Sequence, residues 1–477
     1  SGAVVSFFDT PVAAQVAVTE EAGRHLLNLR VPLGAGSVHE TPVKVWLWTD
    51  DAFPTKWTAL DEWTAVYDAT ANRYRTSLGL GVTEPRPALL ANLPSEETMQ
   101  RYWENGPPEY EDSFHYNFAH TKLQKAADAG FRALIFDMHW DTDALYLNTP
   151  ERYLPGSLSS GSGNAPWRLE INDALGGERA LRELADRAHE LGVKIILWIP
   201  PDHLSNSSPL LQEHPEWIKW RSDGTPETAG WADITGTSLS SGWYGYAIGQ
   251  YRDIHQATGF DGVLIDSWLT FAMLPDGGEA QPMPQLDQAI ALQRDLRQMG
   301  ITEIHIEGTG PFGLSSGGYG LEGYLGGGPE EQAMAMKLFE RIRGREYGLY
   351  RYTADTIPEP DSYYRALASK GVIGVFNLDV LDKMPKEQRA RIARANHDFL
   401  RVSDKMERRH LIAKGDTWQG VAWTNGCSDE AVLFAFEVFH YPTSEWATIE
   451  DITTGSSFET EDGFETEPQH TYVIRYR

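Results

Sequence analysis

Sulfur chemistry is nearly absent from this chain, in which Cys427 is the single cysteine of 477 residues. No intrachain disulfide can form, and neither a thiolate-rich zinc site nor an iron–sulfur cluster can be assembled. Basic residues are also scarce, 41 Lys and Arg against 68 Asp and Glu, for a formal net charge of -27. Nucleic acid and anionic membrane both reward a basic surface, so neither is expected as a partner. A neutral ligand fits better, and most of the carboxylates read as an adaptation for solubility. No apolar run reaches the roughly 18 residues that a spanning helix needs. The opening Ser1-Gly2-Ala3-Val4-Val5 has neither a basic n-region nor an apolar h-region, which leaves a soluble protein, cytoplasmic or already processed, as the expectation. No G-x-G-x-x-G follows a first strand, so nothing signals a nucleotide fold.

What is abundant is core-forming material: 41% of residues are hydrophobic and 16 are tryptophan. At roughly 100–200 residues per domain the length allows two to four domains, and the texture changes twice. Residues 1–85 carry short β-like runs such as Val43-Lys44-Val45-Trp46-Leu47-Trp48 and the alternate positions Tyr74, Thr76 and Leu78, which read as a small β-sandwich. Residues 86–405 alternate apolar strands (Ala88–Leu93, Ala133–Asp137, Lys194–Ile199, Gly262–Asp266, Ile304–Glu307) with helical stretches such as Glu178–Leu191 and Gln285–Met299. Parallel strands alternating with helices over this length predict an α/β fold, a (β/α)8 TIM barrel. Residues 406–477 return to β texture, with strands at Thr417–Thr424, Ala431–Val438 and Thr471–Tyr476, and predict a second β-sandwich.

Acidic residues end several of the barrel strands, the place where such a barrel puts its chemistry. Phe260-Asp261-Gly262-Val263-Leu264-Ile265-Asp266-Ser267-Trp268 reads as a glycine-entered buried strand that delivers Asp266 to that edge, with Trp268 suited to stack on a sugar ring. Taken alone, Asp266 serves equally well as a helix cap. The pattern recurs, however, in Phe136-Asp137-Met138-His139-Trp140-Asp141, in Leu197-Trp198-Ile199-Pro200-Pro201-Asp202-His203 and in His305-Ile306-Glu307. Several carboxylates beside water-excluding aromatics suit a polyhydroxylated neutral ligand and can keep one carboxyl protonated while another stays ionised. Glycoside chemistry is the expectation.

Gly192-Val193-Lys194-Ile195-Ile196-Leu197-Trp198-Ile199-Pro200-Pro201-Asp202-His203-Leu204, followed by Ser208-Pro209-Leu210-Leu211-Gln212-Glu213-His214-Pro215-Glu216-Trp217, resembles a segment of glycoside hydrolase family 36 and its α-galactosidase-like clan. There a G-x-K-x-G-L-W-x-x-P-E strand precedes an S-x-L-x-x-x-H-P-x-W loop. Gly130-Phe131-Arg132-Ala133-Leu134-Ile135-Phe136-Asp137-Met138-His139-Trp140 resembles the family's strand ending in D-D-G-W, with Met138 in place of the second acid. The resemblance implies a retaining α-glycosidase in which Asp266, on the strand of the family's nucleophile, attacks the anomeric carbon. The basic residue that the family places just before it is absent, Leu264 and Ile265 standing there. Arg351-Tyr352-Thr353-Ala354-Asp355-Thr356 resembles W-T-S-D-N-T and implies that Asp355 is the acid/base. Around Glu307-Gly308-Thr309-Gly310 the family's cysteine and Arg-x-Asp are missing, which leaves the sugar open beyond galactose, the common glycone. The resemblance runs from about Arg86 to Ala368, with an N-terminal region much shorter than the family's.

In starch-hydrolase barrels the nucleophile and acid/base lie on strands four and five, an order that Asp266 and Glu307 also satisfy. Asp379, at the end of Gly374-Val375-Phe376-Asn377-Leu378-Asp379, reads first as a cap. Asp137, Trp140, Trp198, His203, Trp268, Glu307 and Arg365 are the residues expected to line the sugar site. His115, His120, His139, His203 and His305 are potential metal ligands, but the H-x-H of barrel metallohydrolases does not follow strand one, so no metal and no cofactor are expected. A transglycosylase, which uses the same covalent intermediate, a non-catalytic sugar-binding relative and a homo-oligomer are left open.

Overall fold

The structure, a computed structural model, describes residues 2–7, 15–21, 24–30, 43–48, 58, 61, 62, 65, 75, 76, 78–81, 84, 86–91, 115–136, 140, 141, 166–173, 176–221, 223–228, 234–265, 286–306, 318–324, 347–351, 359–374, 378, 380–415, 417–426 and 429–477. The N-terminal strands are β1 (Gly2–Phe7), β2 (Gln15–Glu21), β3 (Arg24–Arg30) and β4 (Val43–Trp48). β1 pairs antiparallel with β4, and β2 with β3. Valine and tryptophan give β4 the β-branched and aromatic content that strands favour.

At Thr76 and Leu78 the structure departs from the predicted alternation: positions 75 and 76 are helical, while Tyr74 lies outside the described residues. Gly79, at φ 69, closes that turn. Its N–H donates to the Thr76 carbonyl at 3.0 Å and the Leu80 N–H to the Arg75 carbonyl at 2.9 Å, the two bonds of a Schellman cap. A glycine free to take positive φ directly after the turn decides the local structure here, whatever the polar and apolar spacing.

The central region runs β5 (Ala88–Ala91), α1 (His115–Asp128), β6 (Ala133–Phe136), β7 (Trp140–Asp141), β8 (Arg168–Ile171), α2 (Gly177–Glu190), β9 (Lys194–Ile199), β10 (His203–Ser205), α3 (Pro209–Glu213), β11 (Ile234–Gly236), α4 (Gly242–Thr258), β12 (Gly262–Ile265), α5 (Leu286–Gln298), β13 (Glu303–Ile306), β14 (Gly318–Tyr324), β15 (Tyr347–Arg351), α6 (Pro360–Ala368), β16 (Gly371–Gly374), α7 (Val380–Lys383) and α8 (Lys386–Val402). Five strands form one parallel sheet in the order β13-β12-β9-β6-β5, and β14-β15-β16 form another. β13 runs beside β14, and β16 beside β5. The short antiparallel pairs β7–β8 and β10–β11 branch from the strand ends.

Helices interleave with the strands for reasons visible in their spacing. α2 buries Leu181, Leu184, Ala185 and Ala188, the i, i+3, i+4, i+7 stripe of an amphipathic helix. α4 begins at Ser241, whose side chain accepts the Trp243 N–H at 3.2 Å, and ends at Gly259 in the left-handed region, φ 71. Both faces of the parallel strands are covered, which is why they read as unbroken apolar runs. Leu134, Phe136, Ile195, Leu197, Val263 and Ile265 pack with helix residues such as Leu181 and Tyr251. On the opposite face Ala88, Ala133, Ile135, Ile196, Trp198 and Leu264 form a buried cluster of their own.

The C-terminal strands are β17 (Arg408–Lys414), β18 (Thr417–Thr424), β19 (Glu430–Ala435), β20 (His440–Tyr441), β21 (Ala447–Asp451), β22 (Ser456–Thr460), β23 (Phe464–Glu465) and β24 (Thr471–Tyr476). Six of them make an antiparallel sheet ordered β17-β18-β19-β24-β21-β22, and β20 pairs with β23. α6 is fastened to this sheet: the Tyr364 hydroxyl donates to the His470 carbonyl at 2.7 Å, and the Trp423 indole to the Ala368 carbonyl at 2.7 Å. Trp418, Val421, Trp423 and Phe434 of the sheet belong to the same continuous core as Leu134 and Leu197. A second tie comes from the N-terminal region, where Asp61 accepts from Arg409 Nε at 3.1 Å and from the Leu411 N–H at 2.6 Å.

Candidate active site

Register across the parallel sheet sets the level of each inward side chain. Ile196 on β9 lies opposite Ile135 on β6 and Gly262 on β12, and Gly262 lies opposite Glu303 on β13. Two residues further along, Trp198, Leu264 and His305 stand side by side. That step of two is the period of a strand, so each residue points to the same face as its counterpart one step earlier. Trp198 is 1% exposed within the inward cluster.

At the N-terminal end of β13, Glu303 accepts from Arg86 Nη2 at 3.3 Å and from Arg86 Nε at 3.4 Å. One step along lies His305. Burial, with Arg86 adding to it, pushes its pKa down from 6.5 to about 3, so at neutral pH the folded protein holds this imidazole uncharged. The unfolded chain takes up a proton there near 6.5 and the folded chain only near 3. The folded state therefore loses stability as the pH falls through that interval. His305→Leu is expected to flatten this part of the profile when denaturant unfolding is followed at a series of pH values. A slope unchanged from wild type would show that other groups carry it.

The segment after β9 is built by local capping and aromatic packing. Ser208 caps α3 through its side chain, which accepts the Leu210 N–H at 3.2 Å, and Pro209 fits the first helical position, where its missing N–H costs nothing. His214 stacks on Trp217 with centroids 4.0 Å apart and planes 7° apart, and Trp217 packs in turn on Trp243. The histidine and tryptophan of the H-P-x-W pattern thus hold the loop together.

His203 opens β10 and is 1% exposed. Its Nδ1 lies 3.7 Å from Asp202 Oδ1, and Asp202 is buried completely. Burial is the largest influence on that carboxyl and pushes its pKa up, against the pull of His203 and then of Lys219. Tyr251, on α4, also faces it electrostatically. Lys219 is not singled out in the sequence; Asp202 reads there as a strand-end acid but is not placed among the residues expected to line the sugar site.

Two of the expected site residues have partners in the structure. The Trp140 indole donates to the Trp198 carbonyl at 2.9 Å, and its ring, 1% exposed, lies 6.1 Å from that of Tyr251 in the core on the helix side of the strands. It braces the end of β9. The Arg365 guanidinium stands 4.6 Å from the ring centroid of Phe436 and belongs to the contact between α6 and the C-terminal sheet. Asp137, Asp266, Trp268, Glu307, Asp355 and Asp379 lie outside the described residues, as does His139. Among the described residues no three His, Cys, Asp or Glu side chains gather into a metal-binding group, and no helix is long and apolar enough to cross a membrane.

No family model matches the chain. Among curated proteins, alpha-galactosidase 2 of Pediococcus pentosaceus is 37% identical over 57 residues, which is 12% of this chain and spans 8% of that protein's length. Among solved structures, the GH36 α-galactosidase AgaA of Geobacillus stearothermophilus superimposes with a TM-score of 0.59 at 15% identity, over 99% of this chain and 67% of its own. The noncanonic maltogenic α-amylase AmyB of Thermotoga neapolitana gives 0.56 at 13% identity, over 84% and 99% of the two chains. The α-amylase of Geobacillus thermoleovorans gives 0.57 at 11%, over 83% and 99%. The chain therefore has an α/β fold similar to that of glycoside hydrolase barrel enzymes. The likeness to α-galactosidases read from the sequence is borne out as a divergent one.

Proposed function

We propose that this chain is a retaining α-glycoside hydrolase that removes a terminal sugar from a neutral oligosaccharide or glycoside, with Asp266 as nucleophile and Asp355 as acid/base. The observation that carries the reading is the shared inward register of Trp198, Leu264 and His305. We extend the strand period of two beyond the described residues and assign Asp266, Glu307 and, from Ile135, Asp137 to that same face. Acids from three parallel strands then meet at the C-terminal end, where barrel enzymes act. β13 beside β14 and β16 beside β5 support closure of the two parallel sheets into one eight-stranded barrel. We assign residues 86–405 to that barrel, and 1–85 and 406–477 to flanking β-sandwich domains.

In this mechanism Asp355 donates its proton to the glycosidic oxygen as the Asp266 carboxylate attacks the anomeric carbon. The aglycone leaves as an alcohol and the sugar is held as an ester. Asp355, now ionised, takes a proton from water, whose oxygen displaces Asp266 and releases the sugar with its configuration retained. The two carboxyl groups are required to stand about 5–5.5 Å apart. Asp137, Trp198, His203, Trp268 and Glu307 are assigned to the sugar. AgaA has been crystallised with raffinose, so α-galactosides are the first substrates to try and α-glucosides the second.

The test is the first-formed product anomer together with Asp355→Ala. Loss of the acid/base is expected to slow cleavage of substrates with poor leaving groups by about 10²–10⁴-fold, and azide is expected to restore turnover as a glycosyl azide of retained configuration. An inverted first product, or no cleavage of any α-glycoside, would overturn the proposal. A second reading pairs Asp266 with Glu307 as the acid/base. It is favoured by the register that sets Ile265 opposite Ile306, which makes the two acids successors of paired residues; azide rescue at Glu307→Gln in place of Asp355→Ala would establish it.

A further inference from the structure

We infer that Trp220 is a stacking platform for a neutral sugar ring on the leaving-group side of the proposed glycosidase site. The inference deepens that reading and rests on it. Trp220 is 43% exposed, unusual for a side chain with so much apolar area to bury.

Its position follows from how the chain leaves β9. The Pro200 carbonyl accepts from the Tyr251 hydroxyl at 2.7 Å, and the Pro201 carbonyl from the Trp243 indole at 3.0 Å. The Asp202 carbonyl then accepts the Thr237 N–H at 2.7 Å. From that tie a hairpin extends through the bridges Ile218–Thr237 and Trp220–Pro226. Trp220 is thus two residues, about 7 Å of strand, beyond the bridge at Thr237, on the C-terminal edge of the sheet where barrel enzymes bind substrate.

The hairpin backbone around Trp220 is pinned. The Lys219 N–H donates to the Gly236 carbonyl at 2.9 Å, the Glu227 N–H to the Lys219 carbonyl at 2.7 Å, and the Arg221 N–H to the Thr225 carbonyl at 2.8 Å. Three residues earlier, Trp217 is packed away at 7% exposure, so the segment as a whole is not loose. Arg221 Nη2 donates to the Thr228 carbonyl at 2.8 Å and to Glu227 Oε1 at 3.3 Å, which ties the two arms of the hairpin together. A flat apolar ring held exposed on a pinned hairpin matches the C–H face of a sugar ring.

Trp220→Ala is expected to lower the ratio of kcat/KM for an α-linked trisaccharide to that for a simple aryl α-glycoside by about tenfold, or ~1.4 kcal/mol. The loss is expected in KM for the trisaccharide, and Trp220→Phe is expected to restore most of it. An unchanged ratio overturns the inference, whether both rates stand or both fall together as in a folding defect. A wild-type protein that cleaves neither substrate refutes the glycosidase reading separately. Titration calorimetry with maltotriose and with an α-galactosyl trisaccharide then decides on Trp220: binding present in wild type and lost in Trp220→Ala supports the platform, and equal binding or none overturns it.

Discussion

Asp266→Ala is expected to reduce turnover of an activated aryl α-glycoside by roughly 10⁴-fold or more, since removing the nucleophile of a covalent enzyme costs as much as ~10⁶-fold. An activated leaving group needs little proton donation, so the loss falls on the bond-forming step and Asp355→Ala is expected to be far milder on the same substrate. Azide separates the two roles by stereochemistry. In Asp266→Ala it enters from the face that the carboxylate has vacated and yields a glycosyl azide of inverted configuration. In Asp355→Ala it attacks the ester already formed, and two inversions give retention. The competing assignment of Asp266 as a helix cap predicts a different outcome, a stability loss of about 1 kcal/mol with activity kept. Full activity in a folded Asp266→Ala variant would therefore end the covalent mechanism on this residue.

Asp61→Ala is expected to destabilise the fold by about 3–5 kcal/mol, the cost of breaking a buried ion pair from one side. The Arg409 side chain is 0% exposed and Asp61 Oδ1 lies 3.1 Å from its Nε, so the variant leaves a guanidinium in the interior without this carboxylate. It also removes the acceptor of the Leu411 N–H at 2.6 Å. Burial, the first influence on Asp61, raises its pKa in spite of Arg409, which means that desolvation outweighs attraction. Replacing both partners with apolar residues, Asp61→Leu with Arg409→Met, is accordingly expected to recover much of the loss, as buried pairs often allow. Denaturant midpoints of the two singles and the double decide it. A single-variant loss below about 1 kcal/mol would show that the interior around Arg409 opens to water.

The parallel strands were readable because both of their faces are covered. Lys194–Ile199 and Thr417–Thr424 were legible to the residue, and α2 and α5 differ from the expected bounds by one residue at each end. Where the forces were not those of periodicity the reading failed. Gly79 closes a capped turn where the alternation of Thr76 and Leu78 suggested a strand. The Trp140 indole bonds to the Trp198 carbonyl, a pairing that requires the fold to be known. Arg365 packs against Phe436, 71 residues away just beyond β19, a contact equally invisible in a local pattern. Asp202 and Trp220 depend on burial and exposure, which a local pattern does not encode.

The fastening of α6 to the C-terminal sheet bears on how this chain can be rearranged in evolution or by design. Trp423 and Tyr364 bond across the junction, and one unbroken core contains Phe399, Val402, Trp418 and Phe434. A β-module joined in this manner cannot be exchanged as a cassette by cutting between α8 and β17, because each half would carry away part of the other's interior. Recombination within this lineage is tolerated only where the partner sheet brings matching aromatics, which ties the drift of the two regions together.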